Sequence, residues 1–274
     1  MTAPPVKPSL DAFFAAAPAP AAVQGNTPWA AATARRSMDI VKRYSARRPR
    51  SLQVHLGPSE LGVSCDRQVV GKLVGEEATN HVTDPWPSFM GTAGHAEMDQ
   101  VFTWENGQIG QQRYLTETRV YPPGPLAGHP GTADLYDAVE RAVLDHKFLG
   151  STSMGKVRSP AGPPRKYVAQ LGVYGLGHIN AGQRVDRVAL IAWPRTGSSL
   201  SETYVWEQAM DGEMMALLTE VVIDTQRRKQ YAQQVAAGMP IADVPRVPSG
   251  DECYFCPFYR PNKDDGIGCP GTVA

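Results

Sequence analysis

An α/β fold with a mixed central sheet flanked by helices is what this sequence predicts, and three observations predict it. Three runs between residues 114 and 149 alternate apolar and polar positions with a period of two. From 165 to 194 a helical pattern is followed by a strong strand, and apolar residues at helical spacing bracket the whole region. With 274 residues, 42% of them hydrophobic, the chain can bury one large core or two small ones without disulfides.

The elements follow in order. Residues 1–50 are rich in Ala and Pro and poor in periodic hydrophobics, which predicts a flexible basic arm. Residues 51–274 then read as a single domain with an N-terminal helical part (51–88), a core (89–208), and a long helix with a tail (209–274). "PSELGVSCDRQVVGKL" predicts a helix from Pro58 with Ser59 as N-cap. "FMGTAGHAEMDQVFTW" predicts a second, with Met90, Ala93, Met98 and Val101 as its apolar stripe. "YLTETRVY", "GTADLYDAV" and "RAVLDHKFL" predict an antiparallel meander, because their connections are short. A Gly/Pro/Ser-rich loop (150–164) leads to the helix "RKYVAQLGVYGLGHINAG" and the strand "RVDRVALIAWPR"; a right-handed crossover of this kind makes the two flanking strands parallel. "ETYVWEQ" predicts a last strand, and Asp211 to Ala237 a long helix that buries Met214, Leu217, Leu218, Val221 and Val222 and stops at Gly238 and Pro240.

Lys plus Arg and Asp plus Glu both number 27, so the chain as a whole is not a strongly basic nucleic-acid binder. One local patch is basic: Arg35, Arg36, Lys42, Arg43, Arg47, Arg48 and Arg50 surround a lone Asp39. Such a patch suits phosphate neutralisation or, equally, a solvated arm. No apolar run reaches the roughly 18 residues that a membrane-spanning helix needs. Asp11 and two prolines break the signal-like start "LDAFFAAAPAPAAV". The expected location is the cytoplasm of a bacterial or phage-infected cell. "SLDAFF" (Ser9 to Phe14) resembles the short peptides bound by bacterial DNA-polymerase sliding clamps, and also reads as a stray apolar cluster in a tail. No GxxxxGK[ST] loop is present, so unwinding would need a helicase or recombination partner.

Charge inside the apolar strands is the informative anomaly. Residues two apart on a strand share a face, so Asp145 and Lys147 point one way and Leu144, His146 and Phe148 the other. Asp134 lies on the preceding strand after small residues. Carboxylates brought together repel unless a cation sits between them, and oxygen ligands suit Mg²⁺ or Mn²⁺; an imidazole such as His95 shifts the preference toward Mn²⁺. The plainer reading makes Asp134 a turn cap and Asp145–Lys147 a strand-face salt bridge. Gln170 and Tyr174, four apart on the following helix, offer neutral hydrogen-bonding groups on one face.

"GTAGHAE" with His95, "GTAD" with Asp134, "LDHK" with Asp145 and Lys147, and "QLGVY" with Gln170 and Tyr174 together resemble the PD-(D/E)XK nuclease superfamily, in particular its RecB-type exonuclease branch. The likeness runs from about Pro58 to Cys269. It implies a restriction-endonuclease-like core and a metal-dependent DNA exonuclease acting on single-stranded ends in recombination, repair, replication or phage DNA processing. It further implies that His95, Asp134 and Asp145 hold Mg²⁺ or Mn²⁺, that Lys147 assists hydrolysis, and that Gln170 and Tyr174 position the strand. Glu97 and Glu117 are second-tier candidates. The rival readings are a structure-specific endonuclease or end-trimming subunit of a recombination or CRISPR spacer-acquisition complex, and a non-catalytic DNA-binding scaffold.

One cysteine before the core (Cys65) and three after it (Cys253, Cys256, Cys269) resemble the pattern of CRISPR-associated Cas-four-like nucleases. There the set holds a [4Fe–4S] cluster that joins the two ends of the domain as a subdomain. The gap from Cys256 to Cys269 is wider than in that family, which makes Cys269 the weakest match. A structural Zn²⁺ site and two disulfides are the alternatives.

Overall fold

The computed structural model describes residues 27–47, 56–80, 84–248, 250–260 and 268–271. The Ser9–Phe14 segment and the basic residues Arg48 and Arg50 lie outside them. In chain order the elements are α1 (Pro28–Ala46), α2 (Pro58–Leu61), α3 (Asp66–Val74), α4 (Trp86–Ile109), β1 (Tyr114–Val120), β2 (Gly131–Asp137), β3 (Ala142–Leu149), α5 (Ser151–Val157), α6 (Arg165–Asn180), β4 (Arg187–Pro194), β5 (Tyr204–Ala209), α7 (Gly212–Ala236) and α8 (Gly250–Tyr254). They divide between two compact units. One comprises Met1–Gln53, Glu77–Trp86 and Pro248–Ala274, the other Val54–Glu76 and Pro87–Val247.

The larger unit is built on a five-stranded sheet in the order β1-β2-β3-β4-β5. β1, β2 and β3 form the expected antiparallel meander, β3 and β4 pair in parallel across the α6 crossover, and β5 returns antiparallel to β4. The sheet is therefore mixed, flanked by helices, as the pattern of the sequence predicts.

α6 lies on this sheet. Ala169, Leu171 and Val173 of α6 and Val143, Val188, Leu190 and Ala192 of the strands are wholly buried, each larger aliphatic side chain contributing about 1.5–3 kcal/mol. Gly177 permits the approach, since a Cβ there would come within 2.7 Å of Val120. α7, capped by the Asp211 carboxylate on the N–H groups of Glu213 and Met214, adds Met214, Leu218 and Val221 to the same core.

An ionic clamp ties α7 to the start of α3. Asp66, the first residue of α3, accepts from Arg228 Nε at 2.8 Å and from Arg227 Nε and a terminal nitrogen at 2.8 and 3.0 Å. Arg228, 1% exposed, also donates to the carbonyls of Leu61 and Val63. The carboxylate stays ionised. Burial pushes its pKa up, but the two guanidinium groups outweigh burial and hold it below the ordinary carboxylate range.

Several expectations need correction. The arm predicted as flexible contains a 19-residue helix, α1: Thr27 caps it by accepting from the Ala30 N–H, Pro28 pre-sets the first turn, and an alanine-rich start favours propagation. The single helix expected from Pro58 is two, α2 and α3, parted at Gly62–Cys65. The loop at 150–164 contains α5, whose Met154 and Val157 are buried. α4 is longer than predicted, and Ala93 and Val101 of its expected stripe face outward.

The smaller unit contains α1, α8 and the cysteine-bearing tail. Within it the Thr79 and Asn80 N–H groups both donate to the Pro257 carbonyl at 2.8 Å. Asn80 Nδ2 donates to the carbonyls of Tyr254 and Cys256. Among the described residues, no helix is long and apolar enough to cross a membrane.

Candidate active site

The sheet opens into a fork. β2 and β3 are paired only at Leu135↔Leu144, Tyr136↔Val143 and Asp137↔Ala142. Beyond Leu135, β2 stays with β1; beyond Leu144, β3 stays with β4. Asp134 and Asp145 are the first residues past the split, one on each branch. The Asp134 carboxylate enters the gap and accepts the His146 backbone N–H at 2.7 Å, replacing the strand partner which that amide has lost.

α4 brings His95 to the fork. Its Nδ1 lies 3.3 Å from Asp134 Oδ2. The ring stands edge-on to Phe148, centroids 5.8 Å apart. Gly94 makes this seat available, because a Cβ there would fall 2.4 Å from the Phe148 ring. About two turns further along, Phe102 stacks on His146 at 5.5 Å. So α4 meets the sheet through Gly94, His95 and Phe102 rather than through the predicted stripe.

Glu117 completes a ligand group. One donor atom each from His95, Glu117 and Asp134 lie within 4.8 Å of one another, the only such group of three or more His, Cys, Asp or Glu among the described residues. The β1–β2 register passes from Thr116↔Leu135 to Thr118↔Ala133, so Glu117 and Asp134 face each other between two regular pairs. Glu117 has φ +43°, a left-handed backbone inside a strand. A non-glycine residue held there costs about 1–3 kcal/mol, a cost that concentrates at functional sites.

Asp145 and Lys147 form the second half of the site. Lys147 Nζ is 2.5 Å from Asp145 Oδ2, 3.3 Å from Gln170 Oε1, and 5.1 Å from the centroid of the Tyr167 ring. Asp145 is 1% exposed, and its Oδ1 is buried with no hydrogen-bond partner. Gln170 Nε2 donates to the Tyr174 hydroxyl at 3.1 Å. Both residues are buried, and Gln170 links the Lys147 ammonium to the Tyr174 hydroxyl.

The electrostatics follow from this crowding. Burial raises the Asp145 carboxyl to about 6; the adjacent Lys147 charge opposes the rise and Asp134 adds to it. Lys147 itself is held above the usual lysine value, as the charges of Asp145 and Asp134 outweigh the burial that would discharge it. His95 is raised as well, burial being overcome by Asp134 and then Asp145. His146, by contrast, is lowered by burial to about 4. Its neutral ring accepts the Trp193 indole N–H at 3.2 Å.

The residues present fit a hard divalent cation. Two carboxylates and an imidazole converge, and a third carboxylate alongside keeps one buried oxygen without a partner, a condition that calls for a ligand. Of the residues singled out from the sequence, the fold brings together His95, Asp134, Asp145, Lys147, Gln170 and Tyr174, together with Glu117. Glu97 lies on the exposed side of α4, outside the ligand group. Tyr167 escaped the sequence reading, although its spacing from Gln170 and Tyr174 puts it on the same helical face.

All four cysteines are half-buried thiols, not joined in disulfides. Cys65 belongs to the larger unit, as N-cap of α3. In the smaller unit the Cys256 N–H closes a turn on the Cys253 carbonyl, and a parallel bridge sets Cys269 beside Tyr259. A Cβ on Gly271 would lie 3.4 Å from that of Cys253.

No family model matches the chain, and no curated protein matches it. Among solved structures, it is similar to an alkaline exonuclease from Laribacter hongkongensis, at 11% identity and a TM-score of 0.47, over 67% of this chain and 92% of that one. The same enzyme in complex with dAMP gives 13%, 0.45, 66% and 91%. A phage-related exonuclease from Haemophilus somnus 129PT gives 13% and 0.38 over 64% of this chain and 82% of that one.

Proposed function

We propose that the larger unit is a divalent-metal-dependent deoxyribonuclease that hydrolyses phosphodiester bonds, working from single-stranded DNA ends. The observation that carries this is the pairing of two arrangements in one fork: the His95–Glu117–Asp134 ligand group, and the buried Asp145–Lys147 pair with its spare carboxylate oxygen. His95, Glu117 and Asp134, with Asp145 Oδ1, would hold Mg²⁺ or Mn²⁺. When bound, such an ion offsets charge on the phosphate and lowers the pKa of water.

The chain's own residues do the rest. Lys147, locked by Asp145 and Gln170, presents an ammonium that donates to phosphate oxygens and offsets the negative charge that builds on them. Gln170, fixed by Tyr174, limits where that ammonium can sit. Asp134 ties the His95 ring to the fork, and the His146 amide in turn orients Asp134. The resemblance of the motif set to PD-(D/E)XK nucleases supports the choice of DNA and of end-dependent action.

The test is digestion of an end-labelled single strand with Mg²⁺ or Mn²⁺, wild type beside Asp145→Ala and Lys147→Ala. Activity that EDTA abolishes and that both substitutions reduce at least about a hundredfold is expected. Full activity in Asp145→Ala would refute the assignment. A circular single strand added to the same assay separates end-dependent from internal cleavage, and so from the endonuclease reading.

The tail cysteines support a second, separable element. One cysteine before the core and three after it, the order that resembles Cas-four-like nucleases, would supply the four thiolates of a structural [4Fe–4S] cluster, or of Zn²⁺. Visible absorption with iron, sulfide and zinc analysis of anaerobically purified protein distinguishes the two. Protein that contains none of these would remove the proposal without touching the nuclease site.

A further inference from the structure

The basic residues near the N-terminus acquire a geometry once α1 is helical. Arg35, Arg36, Asp39, Lys42 and Arg43 recur at i, i+1, i+4, i+7 and i+8, which sets them on one face of a helix with 3.6 residues per turn. Arg35, Arg36 and Arg43 are exposed, and Lys42 is partly so. Asp39, the one acid on this face, leaves a net excess of three positive charges. Trp29, 74% exposed, lies at the border of the face seven residues before Arg36, and Tyr44, 58% exposed, lies just beyond Arg43.

We propose that this face of α1 is a second nucleic-acid contact, gripping a single strand independently of the catalytic fork. The charge complements a phosphate backbone, and an exposed indole at the rim of a cationic stripe offers a stacking surface to an unpaired base. A duplex hides its base faces and would leave Trp29 unused. A lipid surface fits less well, because the exposed apolar side is narrow: Trp29, Ile40 and Tyr44 share it, two of them aromatic rings with a polar edge, and Met38 projects from the opposite side. The inference goes beyond the nuclease reading and does not depend on cleavage.

The experiment uses the full chain with EDTA present, so that nothing is cut. Binding of a fluorescein-labelled thirty-nucleotide oligo-dT is followed by anisotropy across a KCl series, for wild type and for R35Q/R36Q/K42Q/R43Q, in which glutamine preserves helix propensity. Each phosphate contact on a single strand contributes about −0.7 to the slope of log K against log salt. The quadruple variant should therefore lower the magnitude of the slope by about 2–3. Trp29→Ala should weaken binding by about fivefold or more and remove the quenching of indole emission on binding. In a separate assay with Mg²⁺ or Mn²⁺, hydrolysis of bis(p-nitrophenyl) phosphate, which has neither a base nor a polyphosphate backbone for α1 to hold, should be unchanged in these variants. An unaltered salt slope with unaltered affinity overturns the proposal. So does an unaltered slope together with lost binding to phosphatidylglycerol vesicles, which would make α1 a membrane contact. Absence of hydrolysis in wild type alongside an α1-dependent slope would sink the nuclease reading and leave this one standing.

Discussion

Replacing Lys147 by Met keeps most of the side-chain volume and removes the ammonium from a pair separated by 2.5 Å, in which Asp145 is 1% exposed. At an effective dielectric constant of about 20, unit charges at that distance attract by about 7 kcal/mol, an upper limit from which the cost of desolvating both groups must be subtracted. Removing one partner of a buried pair typically costs about 3–5 kcal/mol. Here the loss is capped. The Asp145 carboxyl already sits at about 6, and without the neighbouring ammonium it rises further and takes up a proton at neutral pH. The expected destabilisation is therefore about 3 kcal/mol, roughly 6–12 °C in Tm for a unit of this size. Asp145→Asn/Lys147→Met removes both charges and should recover about 2 kcal/mol of that loss, measured by urea unfolding as a double-mutant cycle. DNA hydrolysis should be lost in the single and the double variant alike, which separates catalysis from stability. If each single substitution costs under about 1 kcal/mol and the two add, the pair is not the buried unit described above.

Three further outcomes follow from the same geometry. Glu117→Gly relieves a left-handed glutamate and should stabilise the unit by about 1 kcal/mol in thermal unfolding while abolishing metal-dependent hydrolysis; a destabilised variant would mean that the φ of +43° costs little. Asp66→Ala strands Arg228, which is 1% exposed, and should cost about 3–5 kcal/mol in urea unfolding, whereas a cost below about 1 kcal/mol would contradict the clamp between α3 and α7. Asp137 is pushed up by burial but held below the ordinary range by Arg113 and by the N–H groups of Glu140 and Val139. Its folded pKa is thus the lower one, so its contribution is complete above the unfolded value of about 3.9 and is lost as pH falls through the folded value. Asp137→Asn should flatten the acid limb of a stability–pH curve below about pH 4, and an unchanged limb would discount the ion pair.

The sequence made the sheet legible because β1 to β3 carry period-two alternation, β4 is a short continuous apolar run, and the crossover rule decides the β3–β4 orientation. It also exposed Asp134, Asp145 and Lys147, since charge in an apolar strand stands out. Glu117 was harder to rank: on a strand whose neighbours are also polar it looks like any surface glutamate, and only its backbone angle and its position opposite Asp134 set it apart. Gln170 and Tyr174 share a helical face by their spacing, but spacing alone does not show that this face meets Lys147 through Gln170. α1 was missed because its alanines were read as low complexity. The same alanines, with Thr27 and Pro28 ahead of them, are what start the helix.

The fork has a consequence for how an inactive form of the protein should be made. Asp134 is at once a candidate ligand and a bridge between two diverging strands through the His146 amide. Truncating it to alanine would strip the ligand and also let the cleft relax, so a null phenotype would confound chemistry with shape. Asparagine keeps an oxygen for that amide while shedding the charge, which makes it the more faithful decoy for trapping bound nucleic acid.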